Sequence, residues 1–557
     1  MIHRLWPLVT LIVANYPALI VAIVAICFVP RVSSAMRRIS RLLIRLFSRP
    51  AVCISTAFVL SLAINIPWAH FHGVPLPAIH DEFSYLLAGD TYAHGRLTNP
   101  TPDLWEHFET FHELFTPTYA SKYPPGQGLF LALGQVTLGL PAAGVWLSSA
   151  LACAAVAWAA GLWLGRKWAV LAMFLIVFNP RLLQWSQGYW GGSVGMLGGA
   201  LALGATRGLM IRRKTRDAVC LAIGLLVMAN SRPWEGLAVA VGLLAVLGMS
   251  RPAGLSRPAI ISAAVILAMG FAWMAYFNWR VTGKPLLMPY ALHEQQYAAA
   301  PVLVFQKPAP IPHYRVPQIE EALRYGELGN YTEQRSPEGF LRGVAKKITG
   351  LSDDFLYGSP LAAGFLFAVL LIPRNRRARA LWLVTLLFLA AFLVVVWHFA
   401  HYAAPGIAAM LILLILGLRR LRVFQRRRAR AGQAIFHAVL AITLLCYLYG
   451  FLTGVGNDTN IALPRQAIID HLNKTPQRHL IFVKYLPGHS FGWEWVQNGA
   501  DIDGAKILWA RDQDDSANRT LLDRYTGRQA WMLEVGQSPG ELKSYSPPAT
   551  QPASPSQ

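Results

Sequence analysis

The chain has 557 residues, 54% of them hydrophobic and only 14% charged, against about 25% charged in ordinary soluble domains, which excludes a soluble globular protein. Its formal net charge is +22, yet the basic residues sit in short clusters between long apolar runs, a pattern of membrane topology rather than of a nucleic-acid-binding face. All five cysteines fall inside apolar stretches, where a thiol packs as a small hydrophobe, so neither disulfides nor a cysteine metal site is expected.

A helix crosses the hydrocarbon core with roughly 20 apolar residues. In chain order, apolar segments lie near 5–29, 51–69, 141–164, 168–180, 193–210, 218–233, 235–250, 259–279, 359–373, 381–399, 404–421 and 434–453. The first is longer than the apolar core of a signal peptide and runs into arginines without a small-residue cleavage site, so it reads as a retained helix. The expectation is about twelve spans.

Alternate connections carry the basic clusters: Arg31 to Arg49, Arg166 and Lys167, Arg212 to Arg216, Arg251 and Arg257, Arg374 to Arg379, and the stretch from Arg419. These are predicted to face the cytoplasm. The loops near 70–140 and 280–358 and the chain after 454 then lie outside, in the cell (inner) membrane. Strand-like stretches HLIFVKY, AKILWARD and QAWMLEV predict a small α/β unit at 454–545, followed by a Pro/Ser/Gln-rich disordered tail at 546–557. The predicted class is mainly α: a polytopic membrane helix bundle over 1–453 with a small extracytoplasmic C-terminal α/β domain. No repeat of fixed period, GxGxxG or P-loop pattern is present.

The first external loop begins PAIHDEFSYLLAGDTYAHGRLTNP. Asp81 and Glu82 are adjacent, so on a helix they point about 100° apart and only one can aim into a given pocket. Asp81 either caps the helix that follows, with Glu82 favouring its first turn, or acts chemically while Glu82 orients a partner. Further along, SKYPPGQGLFLALG places Lys122 ahead of two prolines that fix an extended backbone near the membrane surface. Its ammonium either snorkels or meets a lipid phosphate. At apparent membrane depth, Arg232 has Glu235 three residues later, and Arg181 ends a segment; such charges pair or line polar cavities. His398 and His401 are one turn apart without a matching carboxylate, a poor metal set. Asp501 and Asp503 form a DxD element in a turn-like stretch. Lys346 and Lys347 lie near the end of the second loop.

Taken together, DEFSYLLAGDTYAHGRLTNP, KYPPGQGLFLALG, a multi-span body and a soluble tail resemble the C-type glycosyltransferase superfamily. Within it, the chain is most similar to the protein O-mannosyltransferases and the lipid A aminoarabinose transferases, over about residues 75 to 240. The resemblance implies a helical membrane bundle, a polyprenyl-phosphate sugar donor and transfer on the outer face with an aspartate of the first external loop as base. That aspartate falls on Asp81, with Glu82 matching its acidic neighbour, and Lys122 matches the lysine that contacts the donor phosphate. The stretches RPWEG and YWGGSVGMLGG match no motif that defines an acceptor.

The chemistry fits these residue types. Polyprenyl phosphate leaves as a stabilised anion and asks for cations, here Lys122 and Arg232. The acceptor hydroxyl needs a base, here Asp81, with Glu106, Glu109 and Glu113 of the same loop as the reserve. A single displacement inverts the anomeric centre. The expected partners are the lipid-linked donor, a glycan, lipid or protein acceptor, and membrane lipids, with no nucleic acid, metal or cofactor. The alternative is a transporter or flippase of a polyprenyl-linked or other amphiphile, whose related halves this sequence does not show.

Overall fold

The computed structural model describes residues 23–24, 27, 29–250, 255–356, 359–423, 429–453 and 459–546. Seven helices are long and apolar enough to cross a membrane: Pro50–His72, Pro141–Leu164, Gly192–Ile211, Pro233–Ser250, Arg257–Thr282, Ala400–Val423 and Ala431–Thr453. Arg166–Val177 and Pro180–Ser186 make an eighth if taken as one span, bent by 56°. The break has a local cause. Pro180 lacks an N–H, and the Asn179 side chain accepts from the backbone of Arg181 and Leu182 to start a new helix.

Three further apolar segments are helical but do not meet the length and charge of a simple span. Thr215–Ala229 has 15 residues, Pro360–Val369 is short, and Arg376–Leu393 opens with Arg376, Arg377 and Arg379. Hydropathy counts such part-length helices as full crossings, so the described residues contain seven or eight clear spans rather than about twelve. The segment 5–29 lies largely outside the described residues.

Burial orders the bundle. Of its apolar window, Ala400–Val423 buries 89% and Arg257–Thr282 only 6%, so the first forms the axis and the second shows its apolar surface to the surroundings. Close helix approach rests on small residues: Gly199 lies against the backbone of Pro405 and Gly417 against that of Gly364, with no room for a side chain at either.

The connections that carry polar residues gather at one end. The first contains the helix His80–Ala93 and the two-residue antiparallel strands β1 (Glu113–Leu114) and β2 (Ala120–Ser121), then enters the helix Pro125–Leu138. The second folds as short helices, among them Pro289–Tyr297, Leu328–Gln334 and Pro337–Leu356. Lys347, 1% exposed, anchors it by donating to the Gln334 side chain and the carbonyls of Leu393 and Val395 at 3.0, 2.9 and 2.5 Å, which uses all three ammonium protons.

After 459 the chain forms a sheet of order β4-β3-β5-β6, where β3 is Arg478–Tyr485, β4 Ile507–Arg511, β5 Arg528–Val535 and β6 Lys543–Ser544. β3 runs parallel to β4 and β5, and its run Leu480 to Val483 is apolar and buried, as a strand covered on both faces requires. Leu480, Phe482 and Leu508 share one core with Leu87, Phe108, Phe115 and Tyr119 of the first loop. Arg511 seals this contact through a buried ion pair with Glu494 at 2.6 Å and an Nε–H bond of 2.5 Å to the Glu109 carbonyl. Asp90 accepts from the backbone N–H of Ala500 at 2.7 Å. The sheet therefore covers the helix that begins at His80.

Candidate active site

The prolines at 75 and 77 hold the approach to His80–Ala93 out of helical geometry. Ile79 is the N-cap, with φ −120° and ψ 155°, and no side chain caps the helix. Asp81 is thus not a capping residue. Its Oδ1 accepts the phenolic proton of Tyr123, while His80 Nδ1 stands 3.1 Å and His112 Nε2 3.7 Å from Oδ2.

His112 adopts a left-handed backbone, φ 62°, uncommon outside glycine and enriched at functional positions. Its carbonyl is a junction, receiving the Ser84 hydroxyl at 2.7 Å and the Lys122 N–H at 3.0 Å. Helix, hairpin and lysine segment are pinned together there. Burial works to raise the Asp81 carboxyl, but His112, His80 and the Tyr123 hydroxyl prevail and hold it well below the usual carboxylate range. Burial and the Lys122 charge push the His112 imidazole below its own usual range, against the pull of Asp81. Asp81 is a hydrogen-bonded carboxylate at working pH. One ligand atom each from His80, Asp81 and His112 falls within 4.8 Å of the others, a set able to hold a divalent ion.

Glu82 points elsewhere, as the 100° offset requires. It is 4% exposed and accepts the backbone N–H of Ala78 and of Tyr189, each at 2.9 Å. Burial pushes it up to about 7 against these two bonds. Its carboxylate ties the YWGG loop to the start of the helix His80–Ala93 and is spoken for.

Lys122 is 6% exposed; its Nζ lies 4.8 Å from the Tyr290 ring centre and 3.9 Å from Glu294. The Gly126 N–H donates to the Asn230 carbonyl at 2.7 Å, an approach that leaves no space for a Cβ. This contact locks the KYPPG segment to the turn bearing Arg232. The Arg232 guanidinium stacks 3.5 Å over the Tyr402 ring, pairs loosely with Glu235 at 3.5 Å, and keeps a buried Nε–H without a partner among the described residues.

Shared neighbours bring the groups into one cluster. Burial raises the Tyr85 phenol, and the charges of Arg232 and Asp81 act on it in opposite senses. Tyr290 is raised by burial and by Glu294 and Glu327, with Arg232 opposing. Glu327 is pushed up to about 8 by burial and by Glu294, against the pull of Lys122.

The structure thus brings Asp81, Lys122 and Arg232 together, with Glu82 as a buttress behind them. Sequence reasoning missed His112, Tyr123, Tyr290, Glu294, Glu327 and Tyr402. Tyr123, beside Lys122 in the motif, was the one member a local pattern offered. Other candidates resolve differently. Arg181 pairs with Asp354 at 2.5 Å. His398 packs on Phe392, whereas His401 packs on Trp190. Asp501 accepts from Gly504 N, and Asp503 accepts the Tyr525 hydroxyl, both in connections of the C-terminal α/β region. Glu106 sits in the short helix Trp105–His107; Glu109 accepts the Tyr297 hydroxyl at 2.8 Å, and Glu113, raised by burial and by Glu494, faces the sheet.

No protein-family model and no curated protein matches the chain. Solved structures do. ArnT from Cupriavidus metallidurans bound to undecaprenyl phosphate is similar at 14% identity over 86% of this chain and 92% of that one, TM-score 0.47. The Archaeoglobus fulgidus oligosaccharyltransferase tethered with an acceptor peptide is similar at 12% identity over 87% and 68%, TM-score 0.48. Arabinofuranosyltransferase AftD from mycobacteria is similar at 14% over 87% of this chain and 35% of the longer one, TM-score 0.37. The chain is similar to each of the three over most of its own length.

Proposed function

We propose that the protein is an integral membrane glycosyltransferase that moves a sugar from a polyprenyl-phosphate donor to an acceptor hydroxyl on the outer face of the membrane, with inversion. One observation carries this reading: a partly buried carboxylate free of capping duty, Asp81, shares a cluster with two cations, Lys122 and Arg232. A base and an anion-binding pair are what this transfer needs.

In this reading Asp81 removes the acceptor proton as the hydroxyl attacks the anomeric carbon. Tyr123 and His80 fix the carboxylate's orientation. The bond to the phosphate oxygen breaks on the opposite face, and the departing lipid phosphate is met by Lys122 and by the free Nε–H of Arg232. Glu82 keeps the helix start in register. The reading is metal-independent, with His80 and His112 as orienting groups. It also puts the loops near 70–140 and 280–358 and the chain after 454 outside the cytoplasm, with residues 454–545 as an α/β domain on the 1–453 bundle, in the inner membrane.

Purified protein incubated with a radiolabelled polyprenyl-phosphate hexose and acceptor should release the free lipid phosphate and label the acceptor, with and without a chelator. Absence of acceptor-dependent release across hexose and pentose donors would overturn the reading, and loss of release with the chelator would assign His80, Asp81 and His112 to a metal.

A further inference from the structure

The C-terminal sheet has a site of its own. The chain leaves the central strand β3 for β4 on one side and then crosses to β5 on the other. The loop after β3 and the turn that joins β5 to its antiparallel neighbour β6 meet beyond the carboxyl ends of the two parallel strands and leave a crevice between them. Here that crevice is a cavity of about 240 Å³ lined by His489, Trp493 and Trp495 from the loop after β3, and by Gln537, Ser538 and Pro539 from the turn after β5.

Its chemistry is specific. The His489 ring nitrogens lie 2.7 Å from the Trp493 carbonyl and 3.1 Å from the Gly536 carbonyl, and the imidazole N–H donates to one of them, so His489 sits between the two loops. The Trp493 indole N–H, the Gln537 amide and the Ser538 hydroxyl make no hydrogen bond among the described residues. No Asp, Glu, Lys or Arg side chain lines the cavity, so a cationic ligand finds no counter-charge. The Trp493 ring beside uncommitted neutral donors and acceptors matches a sugar ring, which offers an apolar C–H face and a rim of hydroxyls.

The loop that lines the cavity also touches the first-loop helix. Trp493 pairs by a backbone bridge with Ile79, the residue that precedes His80 and Asp81. Phe491 of the same loop packs on Phe111, which stacks on His80 at 4.7 Å.

We propose that this crevice is a subsite for a neutral saccharide unit of the acceptor, held beside the first-loop helix so that a hydroxyl further along the glycan reaches Asp81. The acceptor role rests on the glycosyltransferase reading; saccharide binding does not.

The test uses the full chain in lipid nanodiscs, since sugar-headed detergents compete. Saturation-transfer NMR and tryptophan fluorescence are read with neutral hexose and pentose oligosaccharides as probes. Saturable binding is expected, not displaced by undecaprenyl phosphate and unchanged in Asp81→Asn. Trp493→Ala should weaken it by about tenfold. Ser538 is exposed, so Ser538→Trp fills the mouth without disturbing the core and should weaken it similarly. The proposal is overturned if no oligosaccharide binds the folded protein, if Ser538→Trp binds as well as wild type, or if undecaprenyl phosphate displaces the sugar, which would place it in the donor site. Saccharide binding without transfer from any donor would refute the chemistry at Asp81 and leave the subsite standing.

Discussion

Glu82 and Tyr189, 107 residues apart in sequence, are joined by a backbone N–H to carboxylate bond of 2.9 Å, and the second carboxylate oxygen takes the Ala78 N–H at the same distance. An amide in this place keeps one acceptor and turns its NH₂ toward a backbone donor. Glu82→Gln should therefore destabilise the protein by about 1–3 kcal/mol, seen as a lower Tm, with a smaller loss of turnover than any change at Asp81. An unaltered Tm would remove the clamp from the account.

Lys122 and Arg232 are assigned to the lipid phosphate. Each lies in the cluster without a close, well-formed ion pair, since Lys122 is 3.9 Å from Glu294 and Arg232 3.5 Å from Glu235. Lys122→Met and Arg232→Met should each raise the apparent KM for the donor by about tenfold or more, with a lesser effect on acceptor dependence. A donor KM within twofold of wild type in folded protein returns that cation to a structural role.

Glu327 gives the site a pH limb. Its carboxyl is pushed up to about 8 by burial and by Glu294, so it is mostly neutral at pH 7 and becomes an anion as pH rises through 8. The raised value also means that folding becomes less favourable as pH climbs toward 8 from the ordinary glutamate range. The new negative charge then competes with the donor phosphate for Lys122. Donor KM should rise above pH 8 in the wild type and stay level in Glu327→Gln. A flat wild-type profile from pH 7 to 9 would contradict this.

Residues 70–140 and the chain after 459 pack together, and Arg524 Nε meets Asp103 Oδ2 at 3.0 Å across that contact. The two exposed positions Asp103 and Ser516 should both react, as cysteine variants, with an impermeant thiol reagent on intact cells. Reaction of one alone would break the shared side that the fold requires, and reaction only after permeabilisation would reverse the orientation.

What was legible in the sequence was local. Asp81 and Lys122 stand in short motifs with prolines that set the backbone, and Arg232 is conspicuous as a charge among apolar residues. The strands of the tail were legible because β3 is a continuous apolar run. His112, Glu294 and Glu327 were not, because their meaning depends on the His112 carbonyl junction and on a second loop that folds back beside Lys122. No spacing within that loop announces it. The expected span count exceeds the clear crossings among the described residues for a related reason: helices such as Thr215–Ala229 are as apolar as spans yet shorter.

The central claim is that Asp81 is the base. Asp81→Asn keeps shape and the contact with Tyr123 but removes the proton acceptor, so the deciding measurement is turnover of that variant together with its affinity for the lipid donor. The account predicts a loss of about two orders of magnitude or more in turnover with donor affinity kept; near-normal turnover with donor bound would contradict it and move the search to the carboxylates beside Lys122, Glu294 and Glu327.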